Sequence, residues 1–410
     1  SDVPNASGPS ISDPRTGEIL ESHINWYHNV MKLLNDWYFV QASPNDPKAR
    51  KADFDDELMG QLIRFVSSHE VGHTLGLRHN YGSSSTVPVE NLRNNSWLKA
   101  NGHTPSIMDY ARFNYVAQPE DKINVDNLMP RIGDYDDWAI EWGYRRFYNY
   151  NSPEKEKPFI NKWTIEKLQN PRLWFGTESN PFDPRSQSEQ VGDNAMIAGK
   201  YGVKNLQRVI DNLEAWSTKP NEDYSVLADR YNQVSGQFSR YLGHVAKYIG
   251  GVMETPKTVE QKGAVYELVS KAEQKEALKF LNDYVFTTPT WILKKDVLNK
   301  INRTPVDVVS NLQNGVLNRI LMNGVLENLN KGESIDINAY SLFDYLQDLK
   351  SNIFSELKTS AKIDIYRRNL QRSFVDNLLS KTDSATGASI IRMGSSDNSD
   401  VKALVRVTLR

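Results

Sequence analysis

The chain has 410 residues, 39% of them hydrophobic and 24% charged, which supplies a sizeable core and excludes a disordered protein. Its 49 basic and 51 acidic side chains leave a net charge of −2, without the basic excess that nucleic acid binding favours. There is no cysteine, so disulfides, thiolate metal sites and cysteine nucleophiles are excluded, and any metal must be held by imidazole and oxygen.

Residues 1–18 are rich in Pro, Gly, Ser and Asp and end in the turn sequence Asp13-Pro14-Arg15-Thr16-Gly17. Residues 18–26 alternate as a strand would, with Leu20, Ser22, Ile24 and Trp26 on one face and Glu21, His23 and Asn25 on the other. A short helix through Val30, Leu33 and Leu34 is expected next, then a polar loop over residues 43–51. A stronger helix follows. Asp53, Asp55, Asp56 and Glu57 place negative charge at its start, where the helix dipole favours it. Leu58, Leu62, Val66, His69 and His73 then step by 4, 4, 3 and 4, so a face that begins as core ends in two histidines. Gly76 can stop this helix in a left-handed conformation.

Residues 83–105 read as a polar connector. Asp134, with Asp137 three residues later, can cap a further helix through Trp138, Ile140, Trp142 and Tyr144. From about residue 150 the pattern is predominantly helical. Tyr231, Val234, Phe238, Tyr241, Val245 and Tyr248 share one face, and Gly236, Gly243 and Gly250 recur every seven residues, which would let another helix approach closely. Residues 342–357 and 365–379 are amphipathic, and 381–400 read as a long polar loop. Ser399-Asp400 would cap a last helical pattern that stops at Arg410; with no visible signal peptide, this suggests a fragment of a longer protein. No run of about 18 apolar residues offers a membrane span. No short repeat is present, calcium-binding nonapeptides included.

The chemistry concentrates in residues 69–79, His-Glu-Val-Gly-His-Thr-Leu-Gly-Leu-Arg-His. Helical spacing puts His69 and His73 one turn apart, able to share a metal ion, with Glu70 rotated beside it. Gly76 frees the backbone to turn, and His79 folds back as a third nitrogen ligand. Three protein ligands leave the fourth zinc position to water, the arrangement of a catalytic site. Zinc lowers the pKa of such water to about 7. Glu70 would take its proton and deliver it to the leaving amine, and the metal would stabilise the oxyanion. The short H-E-x-x-H element occurs by chance, but background composition gives the full pattern in only on the order of one in 10^5 chains of this length. The competing readings are a helix with ordinary histidines and a closed structural zinc site, in which Glu70 would have no purpose.

These eleven residues match the zinc-binding consensus of the metzincin peptidases at every fixed position. Ser106-Ile107-Met108-Asp109-Tyr110 resembles their Met-turn, with Met108 29 residues after His79. The resemblance implies an α+β, zincin-like catalytic domain over 1–149, with a small mixed sheet and an active-site helix, followed by a large, mainly α-helical region over 150–410. It implies Zn2+ held by His69, His73 and His79, Glu70 as general base, Gly76 at the turn, and Met108 as a hydrophobic floor that is not a ligand. Tyr110 matches the tyrosine that in astacin-like and serralysin-like members can bind zinc and swing away to support the oxyanion; the alternative is a tyrosine packed in the turn.

Asn80 and the missing calcium repeats set the chain apart from close astacins, matrixins and serralysins. Residues 13–18, 69–80 and 134–138 resemble instead a bacterial metzincin family formerly classed as a domain of unknown function. Its members carry the catalytic segment late in a long exported chain. That implies a periplasmic, outer-surface or secreted location, and residues 18–26 as an edge strand that pairs with extended substrate. Only 68 residues precede His69, room for about two of the elements that metzincin domains place there, so the sheet is reduced or its earlier strands lie outside this chain.

The function expected is zinc-dependent hydrolysis of peptide bonds, by an endopeptidase acting on a peptide or protein in extended form. The alternatives are a catalytically silent metzincin-fold binding module and a peptidase of narrow scope for short peptides; intact Glu70 favours an enzyme. Glu90, 17 residues after His73, could be a third ligand only on a following helix, which Val87-Pro88-Val89 does not suit. Asp134, Asp136 and Asp137 read as helix-start charges before they read as a calcium site. His23, His28, His103 and His244 read as ordinary. The walls of the substrate pocket are expected from residues 83–105 and from the helical region.

Overall fold

The computed structural model describes residues 5–178, 180–382 and 400–410, so most of the expected polar loop over 381–400 lies outside the described residues. It forms two compact units, Ser1–Asn180 with Arg185–Val234, and Pro181–Pro184 with Ser235–Arg410.

The first unit opens with two antiparallel ribbons. β1 (Ala6–Ser7) pairs with β4 (Asn25–Trp26), and β2 (Ser10–Ser12) pairs with β3 (Ile19–Ser22). The predicted turn closes the second ribbon: Gly17, at φ 77°, donates its N–H to the Asp13 carbonyl. The single strand predicted over 18–26 is therefore broken at His23 and Ile24, where the chain changes partner. Neither face of it is buried, and Leu20 is 63% exposed. The expected mixed sheet does not form among the described residues. Two-stranded antiparallel ribbons replace it, because these strands are short and mostly polar, and β1 packs against a helix instead of a further strand.

α1 (Val30–Ala42) is longer than the short helix expected, because Tyr38, Phe39 and Ala42 continue its buried face past Leu34. α2 (Asp56–Thr74) carries the motif. Asp55 caps it by accepting the Leu58 N–H at 3.0 Å, and Asp56 and Glu57 occupy its first turn. Leu58, Leu62 and Val66 are buried against α1, as the spacing predicts. The connector over 83–105 contains two 3-10 turns and α3 (Asn95–Asn101). α4 (Asp134–Tyr144) starts at the expected aspartates, but its N-cap is Gly133, whose N–H is accepted by Asp136 at 2.9 Å. α5 (Pro153–Lys167), α6 (Ala195–Ser217) and α7 (Ser225–Ala246) as far as Val234 complete the unit, which thus continues well past residue 149.

The second unit holds the rest of α7 and a third ribbon of β5 (Val252–Glu254) with β6 (Tyr266–Leu268). Helices α8 (Lys271–Leu281), α9 (Lys295–Lys300), α10 (Pro305–Ile320), α11 (Asn323–Ile335), α12 (Leu342–Ile353), α13 (Glu356–Thr359), α14 (Ile365–Thr382) and α15 (Val401–Leu409) follow. Phe238, Tyr241 and Val245 are buried, as their spacing predicts. Two of the three spaced glycines meet another helix: Gly243 lies against Arg319 of α10, and Gly250, at φ 63°, against the Val325 carbonyl of α11. Gly236 faces open space. Among the described residues no helix is long and apolar enough to cross a membrane.

Candidate metal centre

The site assembles where α2 ends. His69 and His73 project from its last two turns, and Gly76, at φ 84°, reverses the chain so that His79 returns to them. The three Nε2 atoms converge, with His79 Nε2 3.2 Å from that of His69 and 3.0 Å from that of His73. Tetrahedral zinc with Zn–N bonds of about 2.0–2.1 Å separates its nitrogens by about 3.3–3.4 Å, so the constellation is close to the size the metal requires. Among the described residues these three form the one histidine and carboxylate group able to hold a metal ion. Glu90 is not part of it.

Each imidazole is fixed from behind. His69 Nδ1 donates to the Ile107 carbonyl at 2.9 Å, and His73 Nδ1 to the Leu77 carbonyl at 2.9 Å. His79 Nδ1 lies 2.7 Å from Glu178 Oε2. An Nδ1–H that donates leaves the Nε2 lone pair for a metal, so these partners select the ligating tautomer. Burial pushes the His69 imidazole down to about 3, which keeps it neutral.

Glu70 sits beside the histidines and is buried. Its backbone carbonyl and the His73 Cβ pack against Gly8 so tightly that a Cβ there would lie 2.4 Å from the carbonyl oxygen. Its carboxyl is pushed up by burial, against the opposing effect of a nearby histidine and the Gly8 N–H. Glu70 Oε2 is buried with no hydrogen-bond partner among the described residues. A buried acceptor left open next to three converging nitrogens is what a water-activating base needs.

Residues 106–110 form the floor. Asp136 accepts the Ser106 hydroxyl at 2.6 Å and the Ile107 N–H at 2.7 Å, so the start of α4 holds the turn. Burial pushes the Asp136 carboxyl up, against these bonds. Met108 is wholly buried beneath α2, with its Sδ where a Cβ on Gly72 would be, 2.3 Å away. Tyr110 takes a left-handed conformation (φ 62°, ψ 22°), which sets its ring 5.3 Å from that of His69 and 4.9 Å from that of His79. Such a conformation costs of order 1–3 kcal/mol in a non-glycine residue and persists where the surroundings impose it.

Sequence reasoning missed several neighbours. Tyr81 stacks on His79 with ring centroids 5.3 Å apart, and burial pushes its phenol up to about 12. Glu178 comes from a distant loop with no local spacing to announce it. Asp136 was visible only as a helix-start charge. His103 is buried, donates from Nε2 to the Arg112 carbonyl at 3.0 Å, and stands apart from the metal group, as expected of an ordinary histidine.

A cavity of about 130 Å³ lies beside His69 and Glu70, walled by Val30, Leu33 and Trp37 of α1 and by Phe65 and Val66 of α2. A wider groove runs over the histidines, between residues 5–10 and residues 76–79. Residues 83–105 and the helical region line neither, contrary to expectation, because α1 packs along α2 and supplies the wall beside His69 and Glu70. The strand segment in the groove is likewise 5–10; the predicted edge strand over 18–26 contributes β4 as its partner.

Fold and site together define a helix-borne three-histidine metal centre over a methionine-containing turn. The chain belongs to the Met-zincin family, whose sequence profile matches residues 51–361. Neither a curated protein nor a solved structure matches it.

Proposed function

We propose that this protein is a zinc-dependent peptidase with a zincin-like site, an endopeptidase acting on extended polypeptide outside the cytoplasm. The observation that carries the reading is the convergence of three imidazole nitrogens beside a buried glutamate whose Oε2 has no protein partner among the described residues. His69, His73 and His79 would hold the ion, and nitrogen donors of this number suit zinc with a position left open. When bound, zinc supplies a Lewis acid that makes water acidic near neutral pH and polarises a carbonyl. Glu70 Oε2 then takes a proton from water and passes it to the departing amine. Tyr110, whose ring lies 5.3 Å from that of His69 and 4.9 Å from that of His79, would donate to a developing oxyanion.

The groove beside β1 suits an extended chain, whose backbone can pair with a strand edge whatever its side chains. The cavity next to Glu70, apolar along α1 and α2 and polar at Asn5 and Arg112, suits a side chain flanking the scissile bond. The test is metal content by elemental analysis, together with cleavage of a mixed peptide library by wild type and Glu70→Gln. One zinc per chain and cleavage lost in the variant is the expected result. Zinc without cleavage by wild type would replace the peptidase with a metal-holding binding module.

A further inference from the structure

His79 differs from its two partners in how it is held. His69 and His73 donate to backbone carbonyls supplied by the Met-turn and by the turn after α2. His79 meets a carboxylate, Glu178, across 99 positions of sequence. The side chain of Glu178 is 40% exposed, and an exposed carboxylate on a histidine would ordinarily count for little. Here the loop that carries it is clamped.

The clamp is Asn80, the residue after His79, which has no exposed surface. Its Oδ1 accepts the Gly176 N–H at 2.8 Å, and its Nδ2 donates to the Trp174 carbonyl at 2.9 Å. Its own N–H donates to the Met108 carbonyl at 2.9 Å, which ties the same residue to the Met-turn. Gly82 and Gly176 approach so closely that a Cβ on either would lie within 2.7 Å of the other's Cα. On the far side, Ser186 Oγ donates to the Thr177 carbonyl at 2.6 Å. The backbone is therefore fixed just ahead of Glu178, at a place that delivers its carboxylate to His79 Nδ1.

We propose that Glu178 is a positioning residue for the metal centre, and that Asn80 is the clasp that presents it. This rests on the reading of His69, His73 and His79 as metal ligands. His79 lies beyond the helix, after the left-handed turn at Gly76, and with no helical backbone to hold it is the ligand most in need of an orienting partner. A carboxylate at Nδ1 fixes the ring and the tautomer, and makes Nε2 a stronger donor than a carbonyl partner does. It also places one negative charge behind a neutral three-nitrogen site, offsetting part of a dication's charge.

The test measures zinc affinity by competition with a chromophoric chelator, and the visible spectrum of the cobalt-substituted protein, for wild type, Glu178→Ala, Glu178→Gln and Asn80→Ala. Glu178→Ala is expected to weaken zinc about 10- to 100-fold and to change the cobalt spectrum, with the thermal midpoint of the metal-free protein unchanged. Glu178→Gln, which keeps an acceptor for the ring but not the charge, is expected to fall between Glu178→Ala and wild type. Asn80→Ala should reproduce the loss although it touches neither the metal nor the ring. Wild-type affinity and spectrum in Glu178→Ala would overturn the proposal, and so would a loss of affinity matched by an equal loss of metal-free stability. If wild type and His79→Ala are equally unable to bind zinc or cobalt, the ligand assignment itself falls, and this proposal with it.

Discussion

The contact between Gly72 and Met108 gives a prediction whose sign is set by two opposing effects. Gly72→Ala removes the entropic penalty of glycine inside a helix, worth roughly 0.5–1 kcal/mol in favour of the variant. Against that, the new Cβ would sit 2.3 Å from Met108 Sδ and 3.3 Å from its Cε. Met108 has no exposed surface into which it could withdraw. Overpacking of this kind costs typically about 1–3 kcal/mol. The net expectation is destabilisation by about 0.5–2 kcal/mol, the difference between these two ranges at like values.

Urea unfolding of the metal-free protein measures it. A double-mutant cycle with Met108→Ala isolates the contact. Met108→Ala alone empties space and should cost about 2–5 kcal/mol, whereas in combination with Gly72→Ala the clash is gone and part of the space is filled. The double variant should therefore be more stable than the sum of the single effects predicts. Zinc affinity of Gly72→Ala should also fall, because Ile107 and Met108 supply the carbonyls that hold His69 and Asn80. A variant at least as stable as wild type, or strict additivity in the cycle, would refute the reasoning.

Three further expectations concern chemistry, specificity and pH. Tyr110→Phe should lower turnover while zinc affinity changes little, and an unchanged rate would remove the phenol from the mechanism. Leu33→Trp, which fills the cavity of about 130 Å³, should shift library cleavage away from bulky apolar side chains next to the scissile bond while leaving zinc affinity intact; an unchanged profile would separate that cavity from substrate. Burial pushes the Asp109 carboxyl from 3.8 up to about 7. A carboxyl raised in the folded state holds its proton more tightly there, so its contribution is full below about pH 4 and is lost as pH rises through about 7. The urea midpoint of metal-free protein should fall over that window, and Asp109→Asn should flatten the fall; a slope unaltered in the variant would exclude Asp109 as its source.

Much of the centre is legible in the sequence because its signals are local. The steps from Leu58 to His73 encode one helical face, and Gly76 encodes the reversal that returns His79. Ser106 to Tyr110 announce the turn beneath. What is not legible depends on contacts far apart in the chain. Asn80 reads only as a departure from a family pattern, and its purpose emerges when Trp174 and Gly176 meet it. Glu178 has no periodic partner at all. The strand over 18–26 alternates correctly, yet alternation says nothing about a change of partner midway, and its apolar residues stay exposed. α1 reads short because Tyr38 and Phe39 follow polar residues that hide the continuing face. The cavity wall is misplaced for the same reason, since it is α1 that supplies it.

The hydrogen bond from His79 to Glu178 also places the site in time. The two residues are 99 positions apart, and a ribosome adding about 5–20 residues per second needs on the order of 5–20 s to pass from one to the other. During synthesis the three histidines exist before the carboxylate that the third one meets. On the proposed reading, metal met early would be held by an incomplete set of partners and free to exchange. Only when the loop at 174–178 has emerged and closed on Asn80 is the full set present. If the three histidines hold an ion as proposed, its retention would report on the folding of a segment remote from the motif that first contacts it.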